Sequence, residues 1–266
     1  MWFLDNPMHP LLRTLMERGI PAGHRFLVSE SEIDDINRIM ATLLEAFPGA
    51  VQSAQGTTPA QVALLINPES DPAASGQNVR LKLVGPTTDT STAPKGPSIH
   101  VHGLLSGAAG TPYAPMFKQW QASMESADQS PPFMNTKGAY WVTMADVAGA
   151  MLRLGRALTS HEGPISICGR RWWTTNDTWE ELLMLSSRNA AGLYGTFTPR
   201  HLEGGRHVPV HVEALSGVNS SPPQRPDLGT LHSLLVSATG EGWNPSTPLR
   251  QGLMMMLAEL AERSHS

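Results

Sequence analysis

The chain has 266 residues, enough for one substantial core, and its 40% apolar and 16% charged side chains fit a globular and not a disordered protein. A formal net charge of −4 offers no electrostatic footprint for nucleic acid, and a single cysteine, Cys168, excludes an internal disulfide framework. No apolar run reaches the length of a membrane span, and Met1–Leu4 lacks the regions of a leader, so a soluble cytoplasmic protein is expected.

In chain order, Trp2–Leu4 reads as a short strand that turns into an amphipathic helix. Asp5 or Asn6 is its expected cap, Pro7 lies in its first turn, and Gly19 stands where it should stop. Arg25–Val28 reads as a second strand. Ser31 opens a second helix, with Ile33, Ile36, Ile39, Met40, Leu43, Leu44 and Phe47 on one side and Pro48-Gly49 ending it. Strand candidates follow at Gly49–Ser53, Val62–Ile66, Val79–Val84, Ile99–Leu105, Tyr140–Val142, Ile165–Cys168 and Val208–Val212. Thr143-Met-Ala-Asp146 and Thr178-Trp-Glu-Glu181 are capping-box patterns, each ahead of an apolar helix, and a last helix begins at Thr247-Pro248. Strands alternating with helices in the first half predict βαβ units and a mostly parallel sheet. Pro and Gly gather at 67–137 and 192–248, so the second half is expected to hold many irregular connections.

Several stretches resemble the extended short-chain dehydrogenase/reductase superfamily of nucleotide-sugar epimerases, dehydratases and reductases. AYWVTMADVAGAML (139–152) and GPISICGRRWWTTNDTWEELL (163–183) are similar to consecutive segments of that superfamily, and QRPD (224–227) with GWNPSTPLRQGL (242–253) resembles its usual ending. VSESEIDDINRIMATLLEAFPGAVQSA (28–54) is similar to the dTDP-4-dehydrorhamnose reductase branch. The resemblance implies an α/β, Rossmann-like, mostly parallel sheet flanked by helices, in one domain over 1–266. Residues 1–105 would form the core, with 139–168 completing the sheet. Residues 106–138 and 169–266 would form a smaller, largely C-terminal substrate lobe.

Two motifs of the superfamily are missing. Its glycine pattern, G-x-x-G-x-x-G after the first strand, lets the backbone touch a dinucleotide diphosphate. Residues 5–11 hold no glycine, and neither this pattern nor G-x-G-x-x-G occurs elsewhere; Gly107 and Gly110 have the first interval, but Tyr113 takes the third place. Pro7 and Pro10 lack N–H donors. Asp5 adds like charge, which at roughly 5 Å and an effective dielectric near 20 repels each phosphate charge by about 3 kcal/mol before screening. The second missing motif is Tyr-x-x-x-Lys, the proton donor with its pKa-lowering lysine. Four residues after Tyr113, Tyr140 and Tyr194 stand Phe117, Met144 and Thr198. The stretch between the strand candidates at 62 and 99 is also too short for the helix that carries this pair.

Other chemistry has weaker signals. His100 and His102 share one face of a strand, and His207 and His211 add imidazoles, but no carboxylate or cysteine spacing completes a metal set. No G-x-S-x-G elbow exists, and Cys168 falls in a buried strand, which argues against a hydrolase. RRWWTTNDTW (170–179) reads either as a ligand surface, with Arg171 on phosphate and Trp172 on a base or sugar, or as lobe core or interface. Arg225 in QRPD matches the superfamily arginine on the nucleotide diphosphate; a turn-stabilising role is the other reading. Glu30 stands where the ribose-binding acid would be, and without the glycine loop it reads as an acid ahead of a helix.

The expectation is a pseudoenzyme with no catalytic residue, no resident cofactor and no metal. It would bind a sugar nucleotide, through Arg225, Arg171, Trp172 and His102, or else a protein partner, in a regulatory or scaffolding role. A homodimer through 145–158 stays open; nucleic acid and membrane are not expected partners. The alternative is a divergent NADP-dependent reductase or epimerase on a nucleotide-linked sugar, with His100 or His102 as substitute acid. A lyase or isomerase using the same cleft without nicotinamide is a third class.

Overall fold

The computed structural model describes residues 1–54, 60–66, 77–85, 96–126, 138–203 and 224–264. The predicted strand at 208–212 and the histidines of HVPVH lie outside them.

The first half alternates as expected: β1 (Trp2–Leu4), α1 (Pro10–Gly19), β2 (Phe26–Val28), α2 (Ile33–Ile39), α3 (Ala41–Ala46), β3 (Val51–Ser53), β4 (Val62–Leu65), β5 (Gln77–Val84) and β6 (Ser98–His102). Then come β7 (Leu104–Leu105), α4 (Ala114–Glu125), β8 (Gly138–Ala139), β9 (Val142–Thr143), α5 (Met144–Leu154), α6 (Ala157–Ser160) and β10 (Pro164–Ile167). The chain closes with β11 (Trp173–Thr174), α7 (Thr175–Leu193), α8 (Arg200–Glu203), α9 (Gly229–Thr239), which packs on the sheet beside α5 and not in the lobe expected for 169–266, and α10 (Leu249–Ser264).

Seven strands form one parallel sheet in the order β10-β6-β5-β4-β1-β2-β3. The chain runs outward from β1 to β3, returns to β4, and runs outward the other way. The switch point therefore lies between β1 and β4, and a crevice there is where such sheets take ligands. Of segment 139–168 only β10 joins this sheet; β7 pairs with β9 and β8 with β11 in separate two-stranded ladders.

Alternation along the strands sorts the two faces. Trp2, Leu4, Phe26, Val28, Val62, Leu64, Val79, Leu81, Ile99, Val101, Ile165 and Ile167 point to one side. There they meet Leu11, Leu12, Leu15 and Met16 of α1, Val147 and Met151 of α5, Leu158 of α6 and Leu231 and Leu235 of α9. On the other side, among the described residues, Phe3, Leu27 and Ala63 form a small buried cluster against Met1, Ala54 and Ala60, and Leu65, Val84 and Ser98 are also buried. The interval between β4 and β6, expected to be too short for a catalytic helix, holds β5. A second core fills the lobe, built from Phe117 and Trp120 of α4, Trp141, Trp179 and Leu182 of α7 and Leu253, Met256 and Leu260 of α10.

Four local expectations change. The first helix begins at Pro10, because proline fixes its own φ, has no N–H to leave unpaired, and holds His9 in the extended cap conformation (φ −62°, ψ 130°). The second helix is two, interrupted at Met40 (φ −106°, ψ 19°), a break that nothing in the sequence explains. Two overlapping capping boxes compete at 174–181, and the earlier wins: Thr174 Oγ1 accepts from the Asp177 N–H at 3.0 Å and donates to Asp177 Oδ2 at 2.7 Å. Thr178 lies in the first turn instead, accepting from Trp141 Nε1 at 2.9 Å. The strand expected over 99–105 breaks at Gly103 (φ +67°), where a Cβ would stand 2.6 Å from the Tyr140 carbonyl oxygen.

Candidate functional site

At the switch point, the carboxyl ends of β1 and β4 are tied together by Asp5. Its N–H donates to the Leu64 carbonyl at 3.3 Å, and its Oδ1 accepts from the Ile66 N–H at 3.0 Å. Asp5 is thus spent on the sheet, and His9 caps α1: its Nδ1 accepts from the Leu11 N–H at 3.3 Å, and the residue is only 7% exposed. Pro10 has no N–H and the Arg13 N–H bonds the His9 carbonyl, so at most the Leu12 N–H remains free in the first turn. Anion binding at a helix N-terminus needs those donors. His9 Nε2 is buried near Gly110 without full hydrogen-bond geometry to any partner. Burial lowers its pKa, against smaller raising effects of the Gly110 backbone and Asp5. Burial raises the pKa of Glu32, helped by the charge of Asp5 and opposed by the Ser29 hydroxyl. The crevice mouth is acidic and filled by an imidazole ring.

Tyr113 is the N-cap residue of α4, buried against Trp141 with ring centroids 4.8 Å apart. Burial pushes its phenol up to about 12, the wrong direction for a proton donor and acceptor near neutrality. Phe117, four residues on, packs into the aromatic lobe core, and Lys118 is exposed.

The arginine-tryptophan stretch lies where the chain leaves β10 at the carboxyl edge of the sheet. The Gly169 N–H donates to the Tyr140 carbonyl at 3.0 Å, and Trp243 Nε1 donates to the Cys168 carbonyl at 3.0 Å. Those bonds position the next residues. Arg170 Nη1 donates to Asn244 Oδ1 at 3.1 Å, and Arg225 Nη1 reaches the Arg170 carbonyl at 3.5 Å. Trp172 packs edge-on against Tyr140 at 5.2 Å, while the Arg171 guanidinium lies 4.3 Å over Trp173. Arg170, Arg171 and Arg225 are exposed, Trp172 and Trp173 are half-buried, and no carboxylate among the described residues is ion-paired to any of the three cations.

The structure therefore groups Arg225, Trp172 and Arg171 around the 169–173 turn, and adds Arg170, Tyr140 and Asn244. Tyr140 and Asn244 carry no local signal in the sequence; only the three-dimensional meeting of 140, 170 and 244 marks them. His102 ends β6 on the sheet's second face, beside His100 (ring centroids 6.4 Å apart). Its pKa falls to about 4 through burial, then the charges of His100 and Lys82. Cys168 directly follows β10; burial pushes its thiol up to about 12 against the pull of Arg225, leaving it inert. Among the described residues no three His, Cys, Asp or Glu side chains form a metal set, and no helix is long and apolar enough to cross a membrane. A groove of about 870 Å³ lies between α1, α5 and residues 241–246, and shares Asn244 with the arginine cluster. Its charged lining is mixed, Glu17, Asp146 and Glu241 with Arg18 and Arg153.

The imidazole shifts set an acid limit. His102 is neutral in the fold and binds protons more readily when unfolded, so stability falls as pH drops from about 6.5 toward 4. Urea midpoints across that window should fall by the equivalent of on the order of 2 kcal/mol, discounted for residual solvent contact, and His102→Gln should flatten the slope.

No known family's sequence profile matches the chain, and no curated protein matches it. Solved structures do. A UDP-galactose 4-epimerase matches with TM-score 0.52 at 8% identity, over 98% of this chain and 99% of its own. The yeast methylglyoxal/isovaleraldehyde reductase Gre2, complexed with NADPH, matches with TM-score 0.53 at 9% identity, over 100% and 99%. The Bordetella bronchiseptica enzyme WbmG, in complex with NAD and UDP, matches with TM-score 0.51 at 12% identity, over 98% and 94%. This chain has the Rossmann-like α/β fold of those epimerases and reductases.

Proposed function

We propose that the chain is a non-redox protein of the extended short-chain dehydrogenase/reductase type that binds a nucleotide-linked sugar in a regulatory or scaffolding role. The observation that carries the proposal is the filled switch point: Asp5 joined to Ile66 and His9 capping α1 where a dinucleotide diphosphate would need open backbone donors. The arginines at 170, 171 and 225, beside Trp172 and Tyr140, supply charge for a diphosphate and aromatic edges for a base or sugar. UDP is a natural probe, since one structural neighbour holds it.

Calorimetric titration with UDP-glucose, dTDP-glucose, NADH and NADPH tests the reading. A saturable event is expected with a nucleotide sugar, weakened roughly tenfold by Arg225→Ala, as for loss of one charge-assisted hydrogen bond. Micromolar binding of NADH or NADPH would instead support the divergent reductase or epimerase. A protein partner is the second reading, favoured by the exposed side chains at the end of α7, Leu193 (77% exposed) and Tyr194 (82%).

A further inference from the structure

The arginine cluster offers charge without enclosure, since Arg170, Arg171 and Arg225 are all exposed. Ligand sites are ordinarily concave, with a few convergent polar groups over an apolar lining. The groove between α1, α5 and residues 241–246 borders the cluster, and its volume of about 870 Å³ falls within the roughly 300–1,000 Å³ of such sites. Asn244 belongs to both: it lines the groove, and its Oδ1 accepts from Arg170 Nη1. With the amide oxygen spent on the guanidinium, the amide nitrogen keeps its two donors for a ligand.

Floor and walls of the groove differ in chemistry. Pro21, Ala22, Gly149 and Leu152 contribute apolar surface, while Arg18, Arg153 and Glu241 carry charge. Arg18 and Glu241 are exposed, and neither is ion-paired among the described residues. Of the two rings in the lining, His24 is half-buried, and Trp243 is buried with its Nε1 donating to the Cys168 carbonyl. Tyr140, Trp172 and Trp173 do not line the groove; they stand at the 169–173 turn beside the arginines. A base stacks on accessible rings. A sugar instead lays C–H groups on apolar surface and turns hydroxyls to guanidinium, carboxylate and amide groups. The floor is open at α5, where a methyl group on Gly149 would meet nothing within 4 Å. Gly149 lies three residues, about 4.5 Å along the helix, beyond Asp146, which holds the Ser246 N–H at the Asn244 end of the groove.

We propose that this groove is the glycosyl subsite: the diphosphate lies on the arginines, the base on the aromatic side of the 169–173 turn, and the sugar enters the groove past Asn244. The inference rests on the nucleotide-sugar reading above and gives the ligand a direction. Sugar and diphosphate share the anomeric oxygen, so a sugar pocket must begin beside the phosphate-binding cations. Here one side chain, Asn244, joins the two.

Calorimetric titration compares UDP-glucose with UDP on the full chain and on its Gly149→Met variant, which projects a side chain into the groove from a helix that favours methionine over glycine. The parent is expected to bind UDP-glucose roughly tenfold more tightly than UDP, the worth of one or two added hydrogen bonds. In Gly149→Met that ratio should fall to about one, and thermal melts establish that the variant is folded. Equal affinity of the parent for UDP and UDP-glucose, both weakened by Arg225→Ala, overturns the subsite and leaves the nucleotide reading standing. A full preference for UDP-glucose in folded Gly149→Met also overturns the subsite. Loss of UDP itself in folded Gly149→Met overturns the direction given to the ligand. Binding of neither compound by the parent overturns both readings.

Discussion

Asp146→Ala is expected to lower the free energy of unfolding by about 3–5 kcal/mol, from the loss of several hydrogen bonds to a charged acceptor and the part-buried donors left without it. Asp146 is 9% exposed, and its carboxylate serves two segments. Oδ2 accepts from Thr143 Oγ1 at 2.8 Å and from the Thr247 N–H at 3.3 Å; Oδ1 accepts from the Ser246 N–H at 2.9 Å and Ser246 Oγ at 3.2 Å. Alanine leaves both backbone donors to find water at a part-buried position. Asp146→Asn keeps one oxygen and should cost about half as much. Chemical denaturation measures both, and the alanine variant should melt roughly 6–20 °C lower. The consequence reaches the proposed ligand site, since 246–247 hold the loop whose Asn244 accepts from Arg170. Nucleotide affinity should therefore fall in Asp146→Ala at temperatures where the chain is still folded. Unchanged affinity with lost stability would separate the loop from the site.

The same carboxylate shows how far the sequence could be read. Thr143 and Asp146 form a local pattern, and the helix start that it predicts is where α5 begins. That Asp146 also clamps residues a hundred positions away leaves no local trace. The parallel order was legible because apolar strands alternate with amphipathic helices in the first half. The second half was less so: α4 of the aromatic core and α9, which packs on the sheet, have no clear local signal. Tyr113, Met116, Phe117 and Trp120 of the α4 region are buried against other lobe aromatics, a long-range contact that outweighs local signal. At the switch point the missing glycines were visible, but the cap went to His9 and not Asp5, because Asp5 gains a tertiary partner in the Ile66 amide. For the proposed site, Arg171, Trp172 and Arg225 were readable as residue types. Tyr140 and Asn244 depend on how the 169–173 turn meets two distant segments.

Gly169→Ala is expected to have the other large effect, about 3 kcal/mol or more in stability together with loss of nucleotide binding. Gly169 sits where β10 ends and the arginine-tryptophan turn begins, back to back with Tyr140 and Trp141. A Cβ there would stand 2.0 Å from the Trp141 carbonyl oxygen, 2.9 Å from its carbon and 3.2 Å from the Tyr140 carbonyl carbon. These are backbone atoms, so no side-chain rotation relieves the clash, and the two segments must part. Parting them breaks the Gly169–Tyr140 hydrogen bond and moves Tyr140 away from Trp172. Overpacking of well-fitted interiors costs typically about 1–3 kcal/mol, and the lost hydrogen bond adds about 1. Gly149→Ala is the matching control: it lies in α5, a methyl group there would meet nothing within 4 Å, and the change should be neutral or up to about 1 kcal/mol stabilising. If Gly169→Ala unfolds at the same urea concentration as Gly149→Ala and binds nucleotide sugar as the parent does, the turn does not position the arginines and the ligand site lies elsewhere.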